Sequence, residues 1–419
     1  MNTYSLKGSI AYANNLKDVT YIDNGYIVVE NGCILGVFEL LPEQYAGIQV
    51  TDYGDGVIIP SFSDMHLHAP QYPMLGLGMD LQLMDWLGTY CFKTEMKFVD
   101  PEYARIVYRA LADDLIQRGT TRVCMFSSKH RQATIILMEE LEKAGVTGFV
   151  GKVNMDRNAT SNLQETCEES VRETLLWLDE CSKFSKVKPI ITPRFIPSCT
   201  DELMHALGEI IMKYDLPVQS HLSEDIGEVN WVHSLHPEST NEWEVYNKNH
   251  MWKPKTVMAH CLYSDKKEQK AIKESEVTMV HCPDSNTGVR AGVATVRKWL
   301  NEGLNVTLGS DIAGGCKLSI LDTAAEAIRV SKHRWMQTEG AEDYLSVGEA
   351  FYLATGAGQK YFDEKPGFHM GAKLHAVVLK NNFLPDVSMT SVKERLERIL
   401  YVNDKKSIGA VYSEGEKVI

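Results

Sequence analysis

Long hydrophobic runs are missing from this chain. No window approaches the roughly 20 apolar residues that cross a bilayer as a helix, so no membrane association is expected. Paired cysteines are missing too. The nine cysteines are scattered, odd in number and nowhere spaced C-x-x-C, which argues against a disulfide framework and for reduced thiols. Positive charge is in short supply: 43 lysines and arginines against 56 aspartates and glutamates leave a formal charge of −13. A nucleic-acid surface needs a basic face and is therefore not expected; plain solubility accounts for the acidity. The opening MNTYSLKGSIAYANN has no basic stretch followed by an apolar one, so no signal peptide is expected and the cytoplasm is the expected location. Phosphate-binding glycine motifs are absent as well. With no G-K-[ST] and no G-x-G-x-x-G, Gly314-Gly315 is a poor phosphate cradle and Gly76-Leu77-Gly78 reads as a turn leading to a helix near 81–90.

What is present is length and alternation. The 419 residues, 44% apolar and 24% charged, have a globular composition and suffice for a barrel of roughly 250–300 residues plus a smaller domain. The first part of the chain reads as short strands and turns. YIVVENGCILGVFEL carries two β-rich runs around Asn31-Gly32, a hairpin signal. Near the other end LHAVVLK and AVYSEGEKVI have the same style, the second broken at Glu414-Gly415. Between these ends, strand-length runs recur: GVIIPSFSDMHLH, TTRVCMFS, VTGFVGKVNM, KPIITPRF, LPVQSHLSE, TVMAHCLY, VTMVHCPDS and NVTLGSD. Helical patterns separate most of them, among them PEYARIVYRALADDLIQRG and DELMHALGEIIMKYD; the latter follows Thr200, a good N-cap, and has Asp201 and Glu202 in its first turn. The expected class is α/β: a (β/α)8 TIM-type barrel over 59–368, with a small β-sandwich-like domain built from 1–58 and 369–419.

Side chains capable of chemistry fall at the C-terminal ends of these runs: His66 and His68, Arg194, His221 with Glu224, His260, His281 and Asp311. In a barrel those ends converge on the face that carries the active site. His66 and His68 stand i, i+2 on a strand, hence on one side of it, roughly 6.6 Å apart. Two imidazoles so placed can share one metal ion. Two histidines satisfied by backbone carbonyls would be the plainer account, but H-x-H closing a buried strand after Asp64 favours the metal. His221 alone is as readily a core histidine; beside H-x-H it becomes the natural third ligand. Glu224 lies past its strand end, either a solvated loop carboxylate or a group reaching over the metal without ligating it. Asp311 is a poor core residue, because an unpaired buried charge is costly. A nearby metal or cationic imidazole removes that difficulty.

Taken in order, these residues resemble the guanine deaminase family of the amidohydrolase superfamily over nearly the whole chain. The resemblance is carried by His66-x-His68, His221, His260 and Asp311. It extends to HAPQYP at 68–73, DLQLMDWLGTYCFKTE at 80–95, GKVNMD at 151–156 and TPRF at 192–195, then QSHLSE at 219–224, VMAHC at 257–261, HCPDSN at 281–286 and GSDIAGG at 309–315. It implies a hydrolase that converts guanine to xanthine and ammonia. It implies one Zn2+ per chain on His66, His68, His221 and Asp311, although Fe2+ suits the same ligands. A metal-activated hydroxide would attack the purine C2. Asp311 would take and return the water proton, His260 would orient the hydroxide, and Glu224 would protonate N3. Arg194 would offer paired donors to O6 and N7, backed by the Gln71 amide as donor and acceptor. A rim salt bridge is the plainer account of Arg194. Phe195 would stack on the ring, although packing alone explains an aromatic there. His281 would give a supporting hydrogen bond. A homodimer is also implied.

Three departures stand out. Ser61 occupies a position where the superfamily usually has glycine, a backbone position at which a small residue serves. The stretch 287–290 does not align, and Arg290 in it has no evident role. No lysine ends the fourth strand, where Thr192, Pro193 and Arg194 stand instead, which implies a single metal. Three rival readings are open. A deaminase of another amino-heterocycle, such as 8-oxoguanine, cytosine or a triazine, would keep the scaffold, and Arg194 with Gln71 counts against it. A scaffold without catalysis would lack the ligands, all of which are present. The zinc deaminases of nucleic acids need H-x-E with P-C-x-x-C, and this chain has neither in the right arrangement.

Overall fold

The structure, a computed structural model, describes residues 3–160, 162–380 and 391–419; part of the expected small domain, 381–390, lies outside the described residues. The two ends of the chain form one seven-stranded sheet. Its order is Glu416–Lys417, Ile408–Ser413, Ala376–Leu379, Gln49–Pro60, Thr3–Asn15, Asp18–Glu30, Cys33–Phe38. Neighbours are antiparallel except Thr3–Asn15 beside Gln49–Pro60. Both expected tight turns form. Asn31-Gly32 has φ of 51° and 79°, and Glu414-Gly415 has 50° and 85°, the left-handed pair that matches the twist of a hairpin.

Successive residues of a strand point to opposite faces, and this sheet buries both. Val57, Ile59, Val377 and Leu379 join the main core, with helix Val392–Tyr401 packed on the same side. Ile58, Ala376 and Val378 join a second core with Phe368, Leu6 and Ile27. The sandwich expectation is therefore met only in part. Among the described residues there is one sheet between two apolar layers, not two sheets face to face.

Besides a short parallel pair, Val153–Asn154 with Thr192–Pro193, the middle of the chain supplies eight strands, here β1 (Phe62–His68), β2 (Thr120–Phe126), β3 (Thr147–Gly151), β4 (Val187–Pro189), β5 (Val218–Leu222), β6 (Thr256–His260), β7 (Thr278–His281) and β8 (Asn305–Leu308). They form two parallel arcs, β1-β2-β3-β4 and β5-β6-β7-β8. The arcs meet at the single bridge Ile191–Val218. On the other side, Asp311 N donates to His66 O at 2.8 Å and His68 N to Ile312 O at 3.1 Å. The expected barrel is thus present as two arcs and not as one closed ladder. Pro189 and Pro193 have no N–H to give at the first seam, and at the second the chain has already turned at Asp311, φ 45°.

The run GVIIPSFSDMHLH, continuous in sequence, is divided at Ser61. Up to Pro60 it pairs with Ala376–Leu379, and from Phe62 it pairs with β2. Ser61 is buried at the joint, its hydroxyl against Thr121 Oγ1 and Arg122 Nη1. The helices Pro101–Gln117 and Asp201–Tyr214 form as read, capped by Asp100 and Thr200. No helix among the described residues is long and apolar enough to cross a membrane.

Candidate active site

The strand ends bring five of the singled-out residues to one point. His66 and His68 leave β1 with ring centroids 5.1 Å apart. β5 adds His221, β6 adds His260, and Asp311 follows β8. His68 Nε2 lies 3.1 Å from His221 Nε2. Asp311 Oδ1 is 3.2 Å from His66 Nε2 and 3.7 Å from His68 Nε2, and its Oδ2 is 3.6 Å from His260 Nε2. Local backbone makes this convergence possible. A Cβ on Gly309 would stand 2.9 Å from both Cβ and O of His66, so glycine lets the end of β8 approach β1. Ser223, His260 and Asp311 take φ of 48°, 70° and 45°, a conformation that costs about 1–2 kcal/mol per residue and is tolerated where structure around a site enforces it. Asp64 is not one of the converging donors. Its carboxylate accepts from Ser310 N at 2.9 Å and from the Ser310 hydroxyl, tying β1 to the loop that carries Asp311.

Hydrogen bonds fix which imidazole nitrogen faces the cluster. His221 Nδ1 is 2.6 Å from Arg194 O. A carbonyl only accepts, so Nδ1 carries the proton and Nε2 presents a lone pair. His260 Nδ1 meets Asn286 Oδ1 at 2.9 Å with the same consequence. Phe126 lies against His66, His68 and His221 at centroid distances of 5.0, 4.6 and 5.0 Å. Burial holds the pKa values of these three histidines below the usual imidazole range, that is, neutral. Burial also pushes Asp311 upward, but His66, His260 and His68 overcome it and hold the carboxyl well below its usual range. His66 Nε2 and His260 Nε2 are buried without an aligned hydrogen-bond partner. Buried nitrogens left unpaired around an ionised carboxylate are unfavourable, and a cation among them removes the penalty. Three neutral imidazoles and a carboxylate are a metal donor set, and the residues present fit a metal ion, their donor atoms grouping as His66, His68 and His221, as His66, His260 and Asp311, and as His221, Glu224 and His260. The buried lysine after β3, Lys152, is engaged by Glu165 at 3.0 Å and takes no part.

Glu224 stands over this cluster, its Oε1 3.5 Å from His260 Nε2. Three buried carboxylates that sequence reasoning missed hold the corner it stands on. Glu224 N donates to Glu228 Oε2 at 2.8 Å, Ser223 N to Glu242 Oε2 at 2.9 Å and Ser223 Oγ to Glu268 Oε2 at 2.9 Å. In sequence these three are ordinary acids in the first turns of helices. Burial, then Asp311 and Asp225, push Glu224 well above the usual carboxylate range. Two carboxyls of one site are thereby driven apart, Glu224 toward the acid and Asp311 toward the base.

Glu228 is pushed up to about 8, by burial first and then by Glu224. Unfolded, a glutamate titrates near ~4.3. Folded protein therefore holds this proton more tightly, and the associated stability, full below about pH 4, is lost as pH rises through about 8. Glu228→Gln removes the titration and keeps an acceptor for Glu224 N. Its stability, followed by thermal or urea unfolding, is expected to fall less than that of the wild type between about pH 4.5 and 8, by up to roughly 1.4 kcal/mol per pH unit. Parallel pH profiles would contradict the assignment.

Beside the donors opens a cleft bordered by His68, Gln71, Arg194, Phe195, Glu224 and Asp311. Arg194 is not at the rim: it is 4% exposed and paired with Glu95 at 2.8 Å. Gln71 does not have a free amide. Its Oε1 accepts from Ala313 N at 3.0 Å, and its Nε2 donates to Glu95 at 3.0 Å and to Cys91 Sγ at 3.1 Å. Phe195 meets Trp231 edge-on at 6.1 Å. His281 lies behind the site. It packs edge-on against Trp299 at 6.4 Å, and both its ring nitrogens lack partners. Arg290 has a place as well. Its Nη2 donates to Asp80 O at 2.9 Å, fastening the loop after HCPDSN to the segment that covers the cleft.

The profile described as "Amidohydrolase family" matches residues 57–418. The guanine deaminase of Dictyostelium discoideum is 36% identical over 378 residues, 88% of this chain and 84% of that one. The chain belongs to the amidohydrolase family, in its guanine deaminase branch. The guanine deaminase of Rattus norvegicus is 37% identical to this amidohydrolase over 379 residues, covering 86% and 82% of the two chains. The crystal structure of guanine deaminase from C. acetobutylicum with bound guanine in the active site is 41% identical and matches it with a TM-score of 0.97 over 100% of both chains.

Proposed function

We propose that this amidohydrolase hydrolyses guanine to xanthine and ammonia, with one zinc ion per chain held by His66, His68, His221 and Asp311. One observation carries the reading. A single cleft is bordered by a raised-pKa acid, Glu224, by a buried guanidinium, Arg194, and by the His and Asp donors. A zinc ion at those donors would supply Lewis acidity that makes water nucleophilic near neutral pH. The remaining work falls to side chains. Asp311, ionised, accepts the proton of the attacking water at Oδ2. His260 Nε2, its lone pair fixed by the Nδ1–Asn286 bond, accepts from the same water and orients it. Glu224 donates its proton to N3 as C2 is attacked, a contribution typically worth about 10²–10⁴-fold. The C2–N bond then breaks, the amino group leaves as ammonia with the proton taken from water, the C2 hydroxyl returns its proton to Glu224 as the C2 carbonyl forms, and xanthine remains.

Arg194 offers donors that suit the O6 and N7 acceptors of guanine and oppose the N6 donor of adenine. Phe195 forms cleft wall, and His281, whose ring nitrogens make no hydrogen bond among the described residues, is given no part in the reaction. Arg194→Ala is expected to raise KM for guanine roughly 10- to 100-fold at unchanged metal content. An unchanged KM would mean that the purine is held elsewhere.

The direct test is ammonia release from purified protein offered guanine, adenine, 8-oxoguanine, cytosine and melamine in separate assays. Turnover of guanine alone is expected. Equal turnover of adenine, or none of guanine by metal-loaded protein, would overturn the substrate assignment. Metal analysis of the same sample identifies the ion, since imidazole and carboxylate hold zinc and ferrous iron alike.

A further inference from the structure

Arg194 presents one particular edge to the cleft. A guanidinium carries five N–H donors in a rigid fork. Nη1 donates to both oxygens of Glu95, at 3.0 and 2.8 Å, and Nη2 donates to Cys91 Sγ at 3.4 Å. The end of the fork is thereby occupied. The side edge, Nε–H with the second Nη2–H, has no partner among the described residues. Two parallel donors on one edge match two adjacent ring acceptors.

We propose that Glu95, assisted by Cys91 and Gln71, is a positioning residue that fixes which edge of Arg194 reads the substrate and so sets purine specificity; this rests on the guanine reading above. Glu95 is 1% exposed, and a carboxylate so buried is held there by its partners. Those partners are Arg194, the Cys91 thiol at 3.2 Å and Gln71 Nε2 at 3.0 Å. Gln71 cannot turn over to offer its oxygen instead, because Oε1 is taken by Ala313 N. It therefore pins Glu95 from the wall of the same cleft. Ala313 is two residues from Asp311, so one hydrogen bond joins the specificity wall to the loop carrying a metal donor.

The helical run that brings Glu95 here is built for the purpose. Between Leu83–Trp86 and Phe92–Glu95 it widens to a π-helical turn over Leu87–Cys91, a device frequent at functional sites. Cys91 and Glu95, four residues apart, then face Arg194 together. The Phe92 ring lies 5.5 Å from the guanidinium carbon and closes a further side. None of this is visible in DLQLMDWLGTYCFKTE, where the sequence shows only a helix near 81–90.

The experiment uses metal-loaded protein and initial rates with guanine. Glu95→Gln keeps the size and removes the charge. It is expected to raise KM about 10- to 100-fold, with kcat within about threefold of the wild type and metal content unchanged. Glu95→Asp, which restores the carboxylate, is expected to recover part of the loss. If Glu95→Gln does not fold, the same KM-against-kcat split in Glu95→Asp supports the proposal, and an unchanged KM overturns it. In an Arg194→Gln background, Glu95→Gln is expected to add no further increase in KM, because both act through one edge. Full additivity would overturn the proposal, as would parallel losses of kcat and metal in the single variant, the mark of a merely structural residue. Absence of guanine turnover by the metal-loaded wild type would instead sink the guanine reading. Wild-type turnover together with a wild-type KM in Glu95→Gln would sink only the role given to Glu95.

Discussion

Glu224→Gln is expected to lower kcat for guanine by about 10²–10⁴-fold while metal content stays at the wild-type level. The substitution keeps shape and removes only the transferable proton. Glu224 is buried and held by Glu228 through its backbone, its Oε1 3.5 Å from His260 Nε2. Asp311, ionised beside it, cannot serve as the acid. Because burial raises Glu224, the acid form persists well above the usual carboxylate range. Initial rates and metal per chain on one sample decide the matter. A normal kcat would remove Glu224 from the acid role, and loss of metal with rate would make it a ligand.

His221→Ala is expected to remove metal and turnover together. Its Nε2 is 3.1 Å from His68 Nε2, and its Nδ1–H is spent on Arg194 O, so alanine deletes one donor and frees the backbone of Arg194. Changing a residue that merely supports a metal ligand typically costs about 10- to 100-fold in metal affinity. Loss of a ligand itself is expected to exceed that. Metal titration of the variant, with guanine turnover followed in parallel, measures both. Retention of the metal at wild-type affinity would exclude His221 from the ligand set, and retained metal with lost turnover would place it in the chemistry instead.

The convergence at the strand ends was legible because His66, His68 and Asp311 are anomalous where they stand, whereas His221, by itself as readily a core histidine, was placed by them. Histidines at i, i+2 on a strand buried on both faces, and an aspartate before two glycines, have no comfortable place in an apolar core. The tight turns at Asn31-Gly32 and Glu414-Gly415 were legible because their local conformation is written in adjacent residues. What was not legible depends on partners far away in sequence. Arg194 and Glu95 are 99 residues apart, and nothing local in TPRF announces the pairing or the engaged amide of Gln71. Glu228, Glu242 and Glu268 look like first-turn helix acids until the Ser223–Glu224 corner is seen resting on them. Ser61 carries no turn signal, so an apolar run that serves two sheets read as one strand. The terminal runs read as strands of one small β domain, but nothing local in them shows what covers each face of their sheet. The barrel seams depend on where Pro189, Pro193 and Asp311 interrupt pairing, which strand-length patterning does not resolve.

The most direct measurement is to strip the protein of metal with a chelator, add back Zn2+ in measured amounts, and follow xanthine formation from guanine. Activity is expected to be absent in the stripped protein, to rise in proportion to added zinc and to level off at about one ion per chain. Undiminished guanine turnover by metal-free protein would contradict the central claim, and a plateau at two ions per chain would contradict the single-metal site on His66, His68, His221 and Asp311.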